Sequence, residues 1–160
     1  MQTKNCKCQC GCKRELKNLY YTVCVFCQLG NHQLMATGKF GTVINCIDGR
    51  TQFPVLKWIK ENYSLEYVDT ITEPGPDKVI SEKNISKIEQ LKSKVLISIK
   101  AHGSRIVIIA GHHDCAANPV SKTKHLEQIK KSIKVIKSWN LEVEIFGIWV
   151  NEEWNIERVE

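Results

Sequence analysis

Ile106-Val107-Ile108-Ile109-Ala110-Gly111-His112-His113-Asp114-Cys115 is an apolar run that ends in a cluster of metal-ligand side chains. Consecutive β-branched residues leave neither face polar. Residues 105–110 therefore read as a strand at the centre of a sheet, covered on both sides. Upstream, Ile85, Ile88, Leu91, Val95 and Ile99 recur every three or four residues, the stripe of an amphipathic helix. Downstream, residues 119–138 repeat that pattern with Leu126, Ile129, Ile133 and Ile136 facing inward and lysines opposite. A further strand, residues 141–150, follows.

Moving towards the amino terminus, residues 65–71 predict a strand, and Pro74-Gly75-Pro76 predicts a loop after it. Residues 53–63 predict a short helix with Pro54 in its first turn. Residues 42–47 are a short β-branched strand, and two glycines, Gly38 and Gly41, mark a boundary before it. Residues 151–160 are expected to fold back as an edge strand. Strand–helix alternation of this kind implies right-handed crossovers. The expected fold is α/β, a three-layer arrangement of a four-stranded mostly parallel sheet with flanking helices, over residues 38–160. Residues 1–37 form a separate cysteine-rich module in this reading.

Sites in open parallel sheets form beyond the carboxyl ends of the strands. Two such ends carry reactive groups: Cys46-Ile47-Asp48-Gly49-Arg50 and Gly111-His112-His113-Asp114-Cys115. Both loops leave the same edge of the sheet, so Cys46 can meet His112 and Cys115. Two thiolates and an imidazole form a zinc-type ligand set, and three protein ligands leave a fourth position open for water or substrate. Asp48 and Arg50 follow the first ligand closely enough to stand beside that position. His113 and Asp114 are candidate proton-transfer groups, although a solvated loop role fits them better.

The chain has 160 residues, eight cysteines and a formal charge of +6. Its 42% apolar and 25% charged content excludes wholesale disorder. The start, Met1-Gln2-Thr3-Lys4-Asn5-Cys6, has no apolar leader, and no run is long enough to span a membrane. The expectation is a cytoplasmic protein whose thiols stay reduced and serve metal or catalysis. Six cysteines crowd the first 37 residues: Cys6, Cys8, Cys10, Cys12, Cys24 and Cys27. Cys10, Cys12, Cys24 and Cys27 are the favoured ligands of a closed structural zinc site, with Cys8 and His32 the nearest substitutes. So small a segment folds on its metal rather than on a core. Six basic side chains against one acidic among residues 1–39 put nearly all the excess charge on this module. Its lysines and aromatics could contact nucleic acid. However, such tips commonly just solubilise, and four thiolates on zinc offset part of the charge, so nucleic acid is not the expected partner.

Cys-x-Asp-x-Arg after the first strand and His-x-x-Cys after the third together resemble the beta-class carbonic anhydrase family over residues 40–150. The resemblance implies zinc held by Cys46, His112 and Cys115, with Asp48 and Arg50 over the open position. It also implies hydroxide on the zinc attacking carbon dioxide to give bicarbonate, Asp48 orienting it and Arg50 holding Asp48. In some members the aspartate swings onto zinc, and a free Arg50 would mark that form here. A homodimer or higher homo-oligomer is implied as well. Three features differ from the family: Gly49 replaces the usual serine, Ala116 replaces the usual glycine, and residues 69–76 replace an arginine-asparagine-rich stretch. Two functional classes follow. One is a zinc lyase acting on carbon dioxide, or on carbonyl sulfide or carbon disulfide. The other is a non-catalytic zinc sensor or adaptor that uses the amino-terminal module to bind a partner.

Overall fold

The computed structural model describes residues 36–160. The expected zinc module, with Cys6, Cys8, Cys10, Cys12, Cys24, Cys27 and His32, lies outside them. The elements are β1 (Phe40–Asn45), α1 (Gly49–Tyr63), β2 (Tyr67–Thr72), α2 (Pro76–Ser81), α3 (Ile85–His102), β3 (Ile106–His112), α4 (Lys122–Lys137), β4 (Glu144–Val150) and β5 (Ile156–Val159). They build one sheet in the order β2-β1-β3-β4-β5. The first four strands are parallel, with Ile44 opposite Ile71 and Ile109, and His112 opposite Val150. β5 is antiparallel to β4 and closes the edge. β3 lies at the centre and is buried along its whole length, as its unbroken apolar run predicts.

Alternation along the strands sorts the core into two layers. Ile44, Val107, Ile109 and Trp149 face one side and pack with Leu91, Val95, Ile129, Ile133 and Ile136 of α3 and α4. Val43, Ile108, Ala110, Phe146 and Ile148 face the other side and meet Val55 and Ile59 of α1. Among the described residues, no helix is long and apolar enough to cross a membrane.

Several elements differ from the sequence expectation for identifiable reasons. The sheet has a fifth strand because the tail does return to an edge, over four residues only. α1 begins at Gly49, four residues before the predicted start, because the Asp48 side chain caps it by accepting from Arg50 N–H at 3.0 Å. Pro54 thus sits within the helix rather than in its first turn. The loop at Pro74-Gly75-Pro76 leads straight into α2. Pro76 takes the first helical position, where a missing N–H costs nothing, and Gly75 adopts φ 56°. Ile85, expected on the buried stripe, is 72% exposed, because it stands in the first turn after the Asn84 cap.

Candidate metal centre

β1 and β3 are adjacent and parallel, so their carboxyl ends emerge side by side. Cys46 follows β1 directly, and its N–H is held by Asn45 Oδ1 at 2.9 Å. His112 is the last residue of β3, and the turn through Asp114, at φ 51°, brings Cys115 back towards it. Cys46 Sγ and Cys115 Sγ stand 3.9 Å apart, too far for a disulfide. All three ligand atoms of Cys46, His112 and Cys115 lie within 4.8 Å of one another, and all three residues are buried.

The donor set fits zinc on three counts. Two sulfurs at about 2.3 Å from a tetrahedral ion stand roughly 3.8 Å apart, close to the separation observed. His112 Nδ1 lies 2.7 Å from the His113 carbonyl, which fixes it as the protonated nitrogen and leaves Nε2 as a lone pair. That buried Nε2 has no hydrogen-bond partner among the described residues. Finally, the nearby backbone N–H groups of Gly75 and Asp48 favour the charged form of Cys46, and those of Ala117 and Asn118 favour that of Cys115. Such donors stabilise thiolates.

The electrostatics are those of thiols sharing a proton. The contact between the two sulfurs holds Cys46 below the ordinary thiol range despite burial and pushes Cys115 up. Burial disfavours a charged His112, but the neighbouring Cys46 sulfur outweighs it and raises the imidazole.

Arg50 is not free. Its Nη2 meets Asp48 Oδ2 at 2.6 Å, and its Nε reaches both carboxylate oxygens at 3.0 and 3.2 Å. This guanidinium holds the Asp48 carboxyl down at about 2, so Asp48 is ionised at any physiological pH. Arg50 Nη1 also pairs with Asp114 Oδ2 at 3.1 Å, and its guanidinium lies 5.3 Å from the centre of the Trp154 ring. The His113 ring packs against that same ring, with centroids 4.6 Å apart and planes tilted by 59°. Asp114 thus serves the dyad as a structural partner, which the sequence reading did not anticipate. Gln52 was missed altogether. Its Nε2 donates to the carbonyls of Cys46 at 2.7 Å and Asp48 at 3.1 Å, tying the ligand loop to α1. The spacing of Gln52 four residues after Asp48 becomes informative only once α1 is known to start at Gly49.

Over residues 36–160 the chain matches the family model described as "Putative carbonic anhydrase". The chain belongs to this carbonic anhydrase family. The resemblance read from residues 46–50 and 111–115 is borne out at that level. Two solved β-carbonic anhydrases are also similar. One, from the filamentous ascomycete Sordaria macrospora and described with a second enzyme as tetrameric, is 11% identical, covers 75% of this chain and 79% of its own, and has a TM-score of 0.47. The other, CafA of Aspergillus fumigatus, is 11% identical, covers 76% of this chain and 75% of its own, and has a TM-score of 0.42. No curated protein matches the chain.

Proposed function

We propose that the chain is a zinc-dependent carbonic anhydrase that hydrates carbon dioxide to bicarbonate, with Cys46, His112 and Cys115 as metal ligands and Asp48 and Arg50 as the catalytic pair. The observation that carries this reading is the buried, unpartnered His112 Nε2 facing two sulfurs beside an ionised carboxylate. Zinc bound there would supply an acidified water at its open fourth position. The residues of the chain do the rest. Asp48, unable to take up a proton near neutrality, accepts a hydrogen bond from the attacking water and directs its lone pair at the substrate carbon. Arg50 keeps that carboxylate charged and aimed, and Asp114 and Trp154 fix Arg50 in turn. Because Arg50 is engaged, Asp48 is held in the arrangement that leaves the fourth position open.

Stopped-flow hydration of carbon dioxide between about pH 6 and 9 tests the proposal. Zinc-loaded protein should exceed the buffer rate, and Asp48→Ala should keep its zinc and lose turnover. Hydrolysis of carbonyl sulfide or carbon disulfide, assayed alongside, identifies a sulfur-containing substrate. A fully loaded protein inactive on all three would favour the sensor or adaptor class.

The amino-terminal module is proposed to carry a second, structural zinc on Cys10, Cys12, Cys24 and Cys27, on the strength of their spacing. Exposed Ile47 and Phe53, next to the ligand loop and on α1, support a homo-oligomer that covers them, to be measured by sedimentation.

A further inference from the structure

A second group of buried polar side chains joins α2, α4 and the loop after Cys115, and the chemistry above does not use it. Asp77 stands in the first turn of α2, Asn118 three residues beyond Cys115, and His125 and Gln128 near the start of α4; none is more than 5% exposed. Asp77 Oδ2 accepts from Asn118 Nδ2 at 3.1 Å and lies 2.5 Å from His125 Nδ1. Asn118 Nδ2 also donates to Gln128 Oε1 at 2.8 Å, and Ser132 Oγ donates to the Asp77 carbonyl at 2.9 Å. The Trp149 ring lies 5.0 Å from the His125 ring.

Helix–sheet packing alone does not call for such a node, since apolar side chains of similar volume hold layers together as well or better. What the node adds is direction. Asn118 belongs to the loop after Cys115, and its backbone N–H donates to the Cys115 carbonyl at 3.0 Å. Asp77 follows the end of β2, where the Glu73 N–H donates to the carbonyl of Asn45, the residue before Cys46, at 3.0 Å. The two loops touch, for a Cβ placed on Gly75 would stand 3.2 Å from Asn118 Cβ and 3.4 Å from Ala117. The Asn118–Asp77 hydrogen bond therefore joins the loop tied to the Cys115 backbone and the loop tied to the residue before Cys46.

We infer that Asp77, Asn118 and His125 are positioning residues for the metal centre, holding the loop after Cys115 and the loop beside Cys46 in register so that the two sulfurs keep their separation. The inference rests on the reading of Cys46, His112 and Cys115 as metal ligands. Its test uses the full chain. Asn118→Ala cuts the tie between the loops and leaves the Asp77–His125 contact in place. Zinc affinity, measured by competition with a chromophoric chelator, should fall about 10- to 100-fold. The sulfur-to-cobalt charge-transfer band of the cobalt(II) form should shift, after subtraction of the Cys46→Ser/Cys115→Ser spectrum to remove other sites. Asp77→Asn preserves the shape and an acceptor oxygen, and should keep most of the affinity. Val95→Ala opens a cavity in the core at a residue outside both loops. It should lower the melting temperature and leave affinity and spectrum unchanged. Should Asn118→Ala fail to fold, Asn118→Ser read the same way decides. Parent-like affinity and spectrum in the Asn118 variant, or an equal change in Val95→Ala, overturns the inference. A parent spectrum indifferent to Cys46→Ser/Cys115→Ser instead overturns the metal reading beneath it.

Discussion

Replacing Gly147 by alanine should cost about 2 kcal/mol of stability, because α4 lies unusually close to the sheet over that residue. Gly147 is in the middle of β4, and its φ lies outside the left-handed region, so alanine can adopt the backbone there. The added Cβ, however, would stand 2.2 Å from Ile129 Cγ2 and 3.2 Å from Ile133 Cδ1. Carbon atoms in contact rest at about 3.5–4.0 Å, so Ile129 must retreat by more than about 1 Å. That methyl is attached at Cβ and Ile129 is fully buried, so the side chain cannot swing away and α4 itself must move. Overpacking of this kind costs about 1–3 kcal/mol, here towards the upper end, and is offset by roughly 0.4–1 kcal/mol from the lost freedom of the unfolded glycine. The decisive measurement is a double-mutant cycle by urea unfolding at fixed saturating zinc. Ile129→Ala alone should cost about 2–5 kcal/mol. The Gly147→Ala/Ile129→Ala pair should be no less stable than Ile129→Ala alone, because the new methyl occupies part of the vacated space. A Gly147→Ala variant within about 0.5 kcal/mol of the parent, or a pair whose costs simply add, would refute the reasoning.

The metal reading expects two zinc ions per intact chain and one in Cys46→Ser/Cys115→Ser, counted by elemental analysis; undiminished zinc in the double variant contradicts it. Gly49→Ser, which restores the residue usual in the resembling family, should change stability by no more than about 0.5 kcal/mol, since nothing lies within 4 Å of the added Cβ; thermal unfolding checks this. Glu127 sits between Lys131 at 2.7 Å and Lys124 at 3.0 Å, which hold its carboxyl down from 4.5 to about 2, Lys131 contributing most. A folded value below the unfolded one means that these pairs stabilise above about pH 4.5 and that their contribution fades as pH falls towards 2. Carboxyl NMR should place the Glu127 midpoint low in the parent and higher in Lys131→Ala, and an unmoved midpoint would dismiss the pairing.

What the sequence made legible follows from how local each signal is. The β3 run announces a central strand by itself, because no polar residue interrupts it, and the strand ends at Cys46 and His112 announce the candidate ligands because parallel neighbours deliver their carboxyl ends to one edge. The start of α1 and the whole of α2 were less legible, since Asp48 as a cap and Pro76 as a first helical residue each admit a second reading. The buried face of α4 was only half legible. Leu126, Ile129, Ile133 and Ile136 mark the stripe, yet Leu126 is only partly buried while His125, Gln128 and Ser132 are fully in the interior. An apolar count cannot find them, because a polar side chain is stable in a core only when its partner is already there. Those partners lie far along the chain: Asp77 is 48 residues from His125 and 41 from Asn118. The same holds for Gly147, which reads as a weak point in a strand until Ile129 is seen above it. Local patterns thus place the proposed metal ligands, whereas the groups proposed to hold their loops in register become visible only when α2 and α4 have closed over β3.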